Sequence, residues 1–253
     1  MSDAGTEAPR RTTTGKGPPM DHDILDQRTS EERDRDFLPG MGRPWLLPLY
    51  DVFSRLSGVR PVHERAAALA DVAPGESVLD VGCGTANLSL AVLRAQPAAR
   101  VTGLDPDGAA LRVASRKAGR RRLALTLVQG FADRLPGADG SFDHVVSALA
   151  LHHVPDGARE QFGREALRVL RPGGRVTIAD FGSTGGDHGH GDHGHGHGQR
   201  RGRSAVAANP HTARNLEGGL LRLLADAGFT DAREVAHLDH RYGPLTFVQA
   251  TRS

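Results

Sequence analysis

From Ser77 to Phe181 the chain alternates short apolar runs with longer stretches of helical period. The runs are "SVLDVG", "RVTGLD", "LALTLVQG", "FDHVVSALAL" and "GRVTIADF", each bounded by Gly, Pro, Asp or Ser, and they predict strands. Their apolar residues are nearly continuous rather than alternating, as in strands covered on both faces. Strands that alternate with amphipathic helices predict a parallel sheet, and right-handed crossovers make it doubly wound. After the helical stretch "ARNLEGGLLRLLADAG", two more runs, "AREVAHL" and "GPLTFVQATR", close the sheet at seven strands.

The flanks read differently. Residues 1–36 are rich in Thr, Pro, Gly and charge without apolar periodicity, and predict a disordered tail. Residues 37–72, with "RPWLLPLYDVFSRL" and "HERAAALADV", predict short helices punctuated by Pro44, Pro48, Gly58 and Pro61, and are expected to supply a substrate lid. The main domain is expected over 73–253, interrupted at 182–205 by the Gly/His/Asp tract "GGDHGHGDHGHGHGQRRGR", which offers no apolar residue to pack and reads as a flexible insertion.

With 253 residues, 38% of them hydrophobic, the chain can bury the core of one ordinary domain with tails left over. No run of about 18 apolar residues occurs and the first residues lack a secretory apolar stretch, so no integral membrane association is expected and the location reads as cytoplasmic. The single cysteine, Cys83, excludes an internal disulfide framework. A surplus of only +2 charges gives no sign of a nucleic-acid partner, and nothing in the pattern sets an oligomeric state.

The candidate chemistry starts at "VLDVGCGTANLSLAVL", residues 78–93, where a strand runs through Gly82, Cys83, Gly84 and Thr85 into a helix starting near Ala86 or Asn87. Glycines there let the backbone turn sharply and approach a ligand, and the helix start leaves amides facing the crevice. Two glycines also serve any tight strand-to-helix turn. A dinucleotide fingerprint would need a third glycine where Asn87 stands, which disfavours a nicotinamide oxidoreductase. The carboxylate of Asp80 suits a ligand amine better than a pyrophosphate. Asp105, at the end of the next strand and some 20 residues on, sits where an acidic residue reaches ribose hydroxyls, while Asp107 in "DPDGAAL" reads as a helix cap.

Taken with "VTGLDPDGAAL", "VQGFADRLPGADGSFDHVVSALALHHV" and "EALRVLRPGGRVTIADF", the chain over roughly 72–181 resembles the class I S-adenosylmethionine-dependent methyltransferases. The resemblance implies a doubly wound, Rossmann-like α/β fold, with a mostly parallel seven-stranded sheet and helices on both faces. It also implies S-adenosyl-L-methionine as cofactor and a small-molecule methyl acceptor. Carried over, Asp80, Gly82 and Gly84 would surround the methionine moiety, Asp105 the ribose hydroxyls, and Pro106 the adenine. Ala132 and Asp133 would meet the adenine edge, and Ala148 the methionine moiety. The chain departs from the family's pattern twice, with Ala86 in place of a third glycine and Phe131 in place of an acidic residue. Phe131 has two readings, stacking on adenine or filling the core.

Methyl transfer from a sulfonium is an in-line displacement in which positioning can supply about 7 to 11 kcal/mol of the barrier. Where the acceptor is a phenol, hydroxyl or acidic carbon, a base is required, and His152 and His153 after the fourth strand are the candidates. Cys83, inside the glycine turn, reads as a small buried filler. The segment from Tyr50, "YDVFSRLSGVRPVH", partly resembles that of menaquinone and ubiquinone C-methyltransferases, with Phe53 and Ser54 departing from their pattern. Phospholipid N-methyltransferases and natural-product O-methyltransferases share the layout. Trp45, Tyr50 and Phe53 are the candidate substrate residues and suggest an apolar acceptor, although core packing explains them equally. A second reading is a metal-binding or metal-sensing protein, with His188, His190, His193, His195 and His197 taking Ni, Zn or Cu adventitiously or otherwise.

Overall fold

The computed structural model describes residues 23–37, 58–182, 210–216, 218–240 and 243–253. The candidates Trp45, Tyr50 and Phe53, and the whole histidine set from His188 to His197, lie outside the described residues. The elements in chain order are β1 (Ile24–Asp26), α1 (Ser30–Arg33), α2 (Arg60–Ala70), β2 (Ser77–Val81), α3 (Asn87–Ala95), β3 (Arg100–Asp105), α4 (Gly108–Arg121) and β4 (Thr126–Gln129). They continue with β5 (Phe142–Ala148), a 3₁₀ turn (Leu151–His153), α5 (Asp156–Val169), β6 (Leu170–Phe181), α6 (Pro210–Ala213), α7 (Gly219–Asp226), β7 (Arg233–His240) and β8 (Gly243–Thr251).

The strands form one sheet in the order β1-β4-β3-β2-β5-β6-β8-β7. Its β1-to-β6 part is parallel, while β8 runs antiparallel to both β6 and β7. Successive residues of a strand point to opposite faces, and consecutive Val78 and Leu79 are both fully buried, so each face must be covered. Val78 packs with residues of α2, α3 and α4, whereas Leu79 packs with Phe162, Ala166 and Val169 of α5 and Leu220, Leu223 and Leu224 of α7. This is the doubly wound architecture expected from the apolar runs, and no helix among the described residues is long and apolar enough to cross a membrane.

Two expectations need correction. The sheet has eight strands rather than seven, and the added one comes from the segment read as a disordered tail. Ile24–Asp26 pairs in parallel with β4, and the pairing is extended by Gln27 N donating to Gln129 O at 3.0 Å. Three residues are too short to show a period, and the segment is held by non-local contacts. A capping box joins Thr29 and Glu32, the Arg134 guanidinium grips Glu32 at 3.0 and 2.5 Å, and Arg35 meets Asp133 at 2.6 Å. Of the segment 37–72, expected to supply helices and a substrate lid, α2 packs one face into the core. Its Val62, Ala66, Ala67 and Ala70 belong to the core on the α3 side, and Leu69 O accepts from Gln249 Nε2 of β8 at 2.6 Å.

Candidate functional site

The carboxyl ends of β2, β3, β4 and β5 open on one cavity of about 320 Å³, where a parallel sheet presents its loops. The glycine turn after β2 is pinned beneath it, because the amides of Gly82 and Cys83 both donate to Leu104 O, at 2.8 and 3.0 Å. Gly82 has φ +73°, and a Cβ there would stand 2.4 Å from the Cβ of Ala150, so only glycine fits between the loops. At Gly84, φ +52°, an added Cβ would meet nothing within 4 Å, which leaves the backbone open to the cavity. Cys83 turns its sulfur against Gly103, where a Cβ would come within 2.9 Å, and burial pushes its thiol up. It is the filler expected.

Ala86 follows in the left-handed region at φ 63°, a conformation that costs an alanine roughly 1–2 kcal/mol. It is the N-cap of α3 and has no side chain to cap it. Asp80 supplies the cap from the strand instead: its Oδ2 accepts from Ser89 N at 2.9 Å and Ser89 Oγ at 2.5 Å. The carboxylate is fully buried behind the turn and does not line the cavity, its Oδ1 has no partner, and burial pushes its pKa up to about 7. From α4, Lys117 Nζ reaches Thr85 Oγ1 at 3.1 Å and Asn87 Oδ1 at 2.7 Å.

Asp105 stands at the centre of the cavity wall. Its Oδ2 accepts from Gly84 N at 2.7 Å and its Oδ1 from Asp107 N at 2.9 Å, so two amides fix its orientation. Burial pushes its pKa up to about 6. Asp107 caps α4, accepting from Ala109 N at 2.8 Å and Ala110 N at 3.2 Å, as the sequence suggested, and Pro106 lines the cavity beside it.

At the far end of that wall, Phe131, Ala132 and Asp133 line the cavity together with Arg35 and Phe37 of the N-terminal segment. The Arg35 guanidinium lies 4.5 Å from the centroid of the Phe131 ring and also binds Asp133, so one face of the ring is covered by a cation. Asp133 Oδ1 is buried without a partner, an acceptor left beside the cavity.

The opposite wall follows β5 and is made of Ala148, Leu149, Ala150, Leu151, Val154 and Ala158, with His153 among them. Leu149 is left-handed at φ 56°, its amide donating to Ala179 O at 2.8 Å. His152 does not line the cavity. It is buried one layer back, with its backbone amide 3.1 Å from Asp180 Oδ2 and its Nδ1 2.7 Å from Asp180 Oδ1. Burial works to raise Asp180, but the His152 imidazole and the hydrogen bonds outweigh it and hold the carboxyl below its usual value. The ionised carboxylate accepts a hydrogen bond from Nδ1–H of His152. The two imidazoles pack with centroids 4.0 Å apart. Arg159, buried on α5, ties the turn down by donating to Leu151 O at 2.9 Å and to Asn215 Oδ1 at 2.7 Å.

Of the residues named from sequence, Gly82, Gly84, Asp105, Pro106, Phe131, Ala132, Asp133, Ala148 and His153 share the cavity, whereas Asp80 and His152 stand behind it. Sequence reasoning missed Arg35, Lys117, Asp180 and His63. His63 of α2 lines the cavity and is pushed down to about 4 by burial, hence uncharged at neutral pH. No local signal marked Arg35, Lys117 or Asp180, since each acts on a partner distant in the chain. Among the described residues no group of three or more His, Cys, Asp or Glu is placed to hold a metal ion.

Residues 78–174 match the sequence profile of a family described as methyltransferase domain. The chain is 34% identical over 139 residues to the demethylmenaquinone methyltransferase of Deinococcus radiodurans, covering 54% of this chain and 57% of that protein. It is 31% identical over 175 residues to the 27-O-demethylrifamycin SV methyltransferase of Amycolatopsis mediterranei, covering 68% of this chain and 60% of that one. The matches thus span less than two thirds of these relatives' length. In structure the chain is similar to a SAM dependent methyltransferase from Aquifex aeolicus, with a TM-score of 0.59 at 19% identity, over 83% of this chain and 99% of that one. Residues 78–174 thus match a methyltransferase domain, and the chain resembles the class I S-adenosylmethionine-dependent methyltransferases of the menaquinone-type group.

Proposed function

We propose that this chain, built on a class I methyltransferase domain, moves the methyl group of S-adenosyl-L-methionine to a small apolar or aromatic acceptor by in-line displacement. One observation carries the reading: a backbone-open glycine turn and an amide-oriented carboxylate share a single cavity with an apolar wall that bears an imidazole. The residues fit the cofactor, since the empty space over Gly84 and the Asp105 carboxylate suit its methionine and ribose portions. When bound, it supplies an electrophilic methyl on a sulfonium.

The chain's own residues then have separable tasks. Asp105 accepts the ribose hydroxyls, the Gly82–Gly84 backbone passes under the methionine portion, and Pro106 and Ala132 flank the adenine. Leu149, Ala150, Val154 and Ala158 exclude water around the acceptor. His153, on the cavity wall, takes the proton of a hydroxyl or acidic-carbon acceptor, and His152, fixed by Asp180, packs behind it and sets its position. The names of the two relatives, for demethylmenaquinone and for 27-O-demethylrifamycin SV, support a small-molecule acceptor.

Calorimetric titration with S-adenosylmethionine and S-adenosylhomocysteine, with NADH as control, tests the cofactor half of the reading. A radiolabelled methyl-transfer screen over quinols, phenols and amines tests the acceptor half. Binding of the sulfur ligands without NADH, followed by transfer to a quinol or phenol, is the expected result. Binding of NADH alone would overturn it.

A further inference from the structure

The residue that follows the glycine turn is an alanine held where glycine is at ease, and the side chains on either side of it are gripped by one ammonium. Thr85 Oγ1 and Asn87 Oδ1 flank Ala86 in sequence and both bind Lys117 Nζ, at 3.1 and 2.7 Å. Ala86 sits at φ 63° and offers no cap of its own. Thr85 and Asn87 also line the cavity, so the grip acts on the ligand-facing side of the turn. Lys117 is buried and comes from the middle of α4, more than a helical turn beyond the Asp107 cap. Burying an ammonium is costly unless its protons are taken by acceptors, so its contacts have to be accounted for by what they hold.

We propose that Lys117 is a positioning residue that holds Ala86 in the left-handed conformation and so keeps the glycine turn in the shape that receives the cofactor. The proposal rests on the reading of the cavity as a cofactor site. Without the clamp, the turn relaxes to a right-handed or extended Ala86, which tilts the start of α3 and carries the Gly84 amide away from Asp105. The left-handed penalty of alanine amounts to a factor of roughly 5 to 30 in an equilibrium, so releasing it is large enough to be read in binding. Glycine carries almost no such penalty. This makes a specific prediction of coupling: the turn should need Lys117 when residue 86 is alanine and need it much less when residue 86 is glycine.

The test is a double-mutant cycle on the whole chain with two readouts. The first is the dissociation constant for S-adenosylhomocysteine, and the second is amide hydrogen exchange over residues 84–89 without ligand. Lys117→Met is expected to weaken binding about tenfold and to speed exchange in the turn. Adding Ala86→Gly to Lys117→Met should recover most of that loss, about fivefold, while Ala86→Gly in the otherwise native chain should tighten binding by less than about twofold. Lys117→Gln, which can still donate to both oxygens without charge, guards against a variant that fails to fold and should keep at least half of the binding strength. If glycine at 86 recovers nothing in the Lys117→Met background, or if Lys117→Met binds as well as the native chain, the clamp is wrong. If the native chain binds no S-adenosylhomocysteine, the cofactor reading falls. The clamp is then judged by exchange alone: faster exchange in Lys117→Met that slows again with Ala86→Gly supports it, and unchanged exchange overturns it.

Discussion

The two walls of the cavity are built by opposite means. The wall from β2, β3 and β4 is polar and made largely of backbone, with glycine amides, the Asp105 carboxylate and a strained Ala86 under a buried lysine. The wall after β5 is small and apolar apart from His153, with the His152–Asp180 pair set one layer back. The contrast extends to backbone strain. Asp71 and Arg122 are left-handed as C-caps of α2 and α4, an ordinary way to end a helix, whereas Leu149 is left-handed on the cavity wall and Ala86 is left-handed just behind it, between the lining residues Thr85 and Asn87. A backbone-built wall suits a ligand that is always the same. An apolar wall with few polar groups suits an acceptor whose shape is selected by packing.

The contrast breaks most sharply at Asp105. Asp105→Ala removes the acceptor of Gly84 and of Asp107 together with the proposed ribose contact, and cofactor affinity by calorimetry should fall at least about a hundredfold. Asp180→Asn strikes the other wall. It should lower kcat by roughly thirty- to a hundredfold and move the pH profile of kcat, because the carboxylate that holds the His152 imidazole in place is gone. The dissociation constant for S-adenosylhomocysteine should change less than about twofold in that variant, and an equal loss in binding would mean that the walls are not separable.

A smaller effect follows from pH. Burial holds Asp105 up to about 6, so the ligand-free protein carries a proton there at pH 5 that a ribose-bound carboxylate must release. Cofactor affinity should therefore fall by up to about tenfold per unit below pH 6 and level off above it, and Asp105→Asn should abolish the slope. Fold stability carries a related signature. The pKa of Asp80 is raised in the fold from 3.8 to about 7, so its contribution is greatest below pH 4 and is lost as pH rises toward 7. His63, lowered from 6.5 to about 4, acts in the opposite sense and loses stability as pH falls through that window. Denaturant melts of Asp80→Asn should lack the first of these slopes. The smallest change expected is in Arg35→Ala, where a half-exposed ion pair and a cation–π contact over Phe131 are removed. Cofactor affinity should weaken by about threefold with no change in kcat.

Much of the first wall was readable from the chain because its residues are close in sequence. "VLDVGCGTANL" contains the strand, both glycines and the helix start in eleven positions, and Asp105 and Asp107 stand two residues apart where β3 passes into α4. The apolar runs likewise determined a doubly wound sheet, since continuous apolar strands can only be satisfied by helices on both faces. The second wall was half readable. His152 and His153 were visible as a pair, but only the fold shows that His153 reaches the cavity and that Asp180, 28 residues on, anchors His152.

What the tertiary structure alone decided are the contacts that no short window contains. Ile24–Asp26 becomes a strand because the free edge of β4 is beside it and Arg134 holds Glu32 from 102 residues away. Asp80 turns from a ligand group into the cap of α3 because Ala86 cannot supply one. Lys117 meets the glycine turn across 30 residues of chain. Local sequence determines which conformations are cheap, whereas non-local partners determine which costly ones, such as a left-handed alanine or a buried carboxylate, are kept.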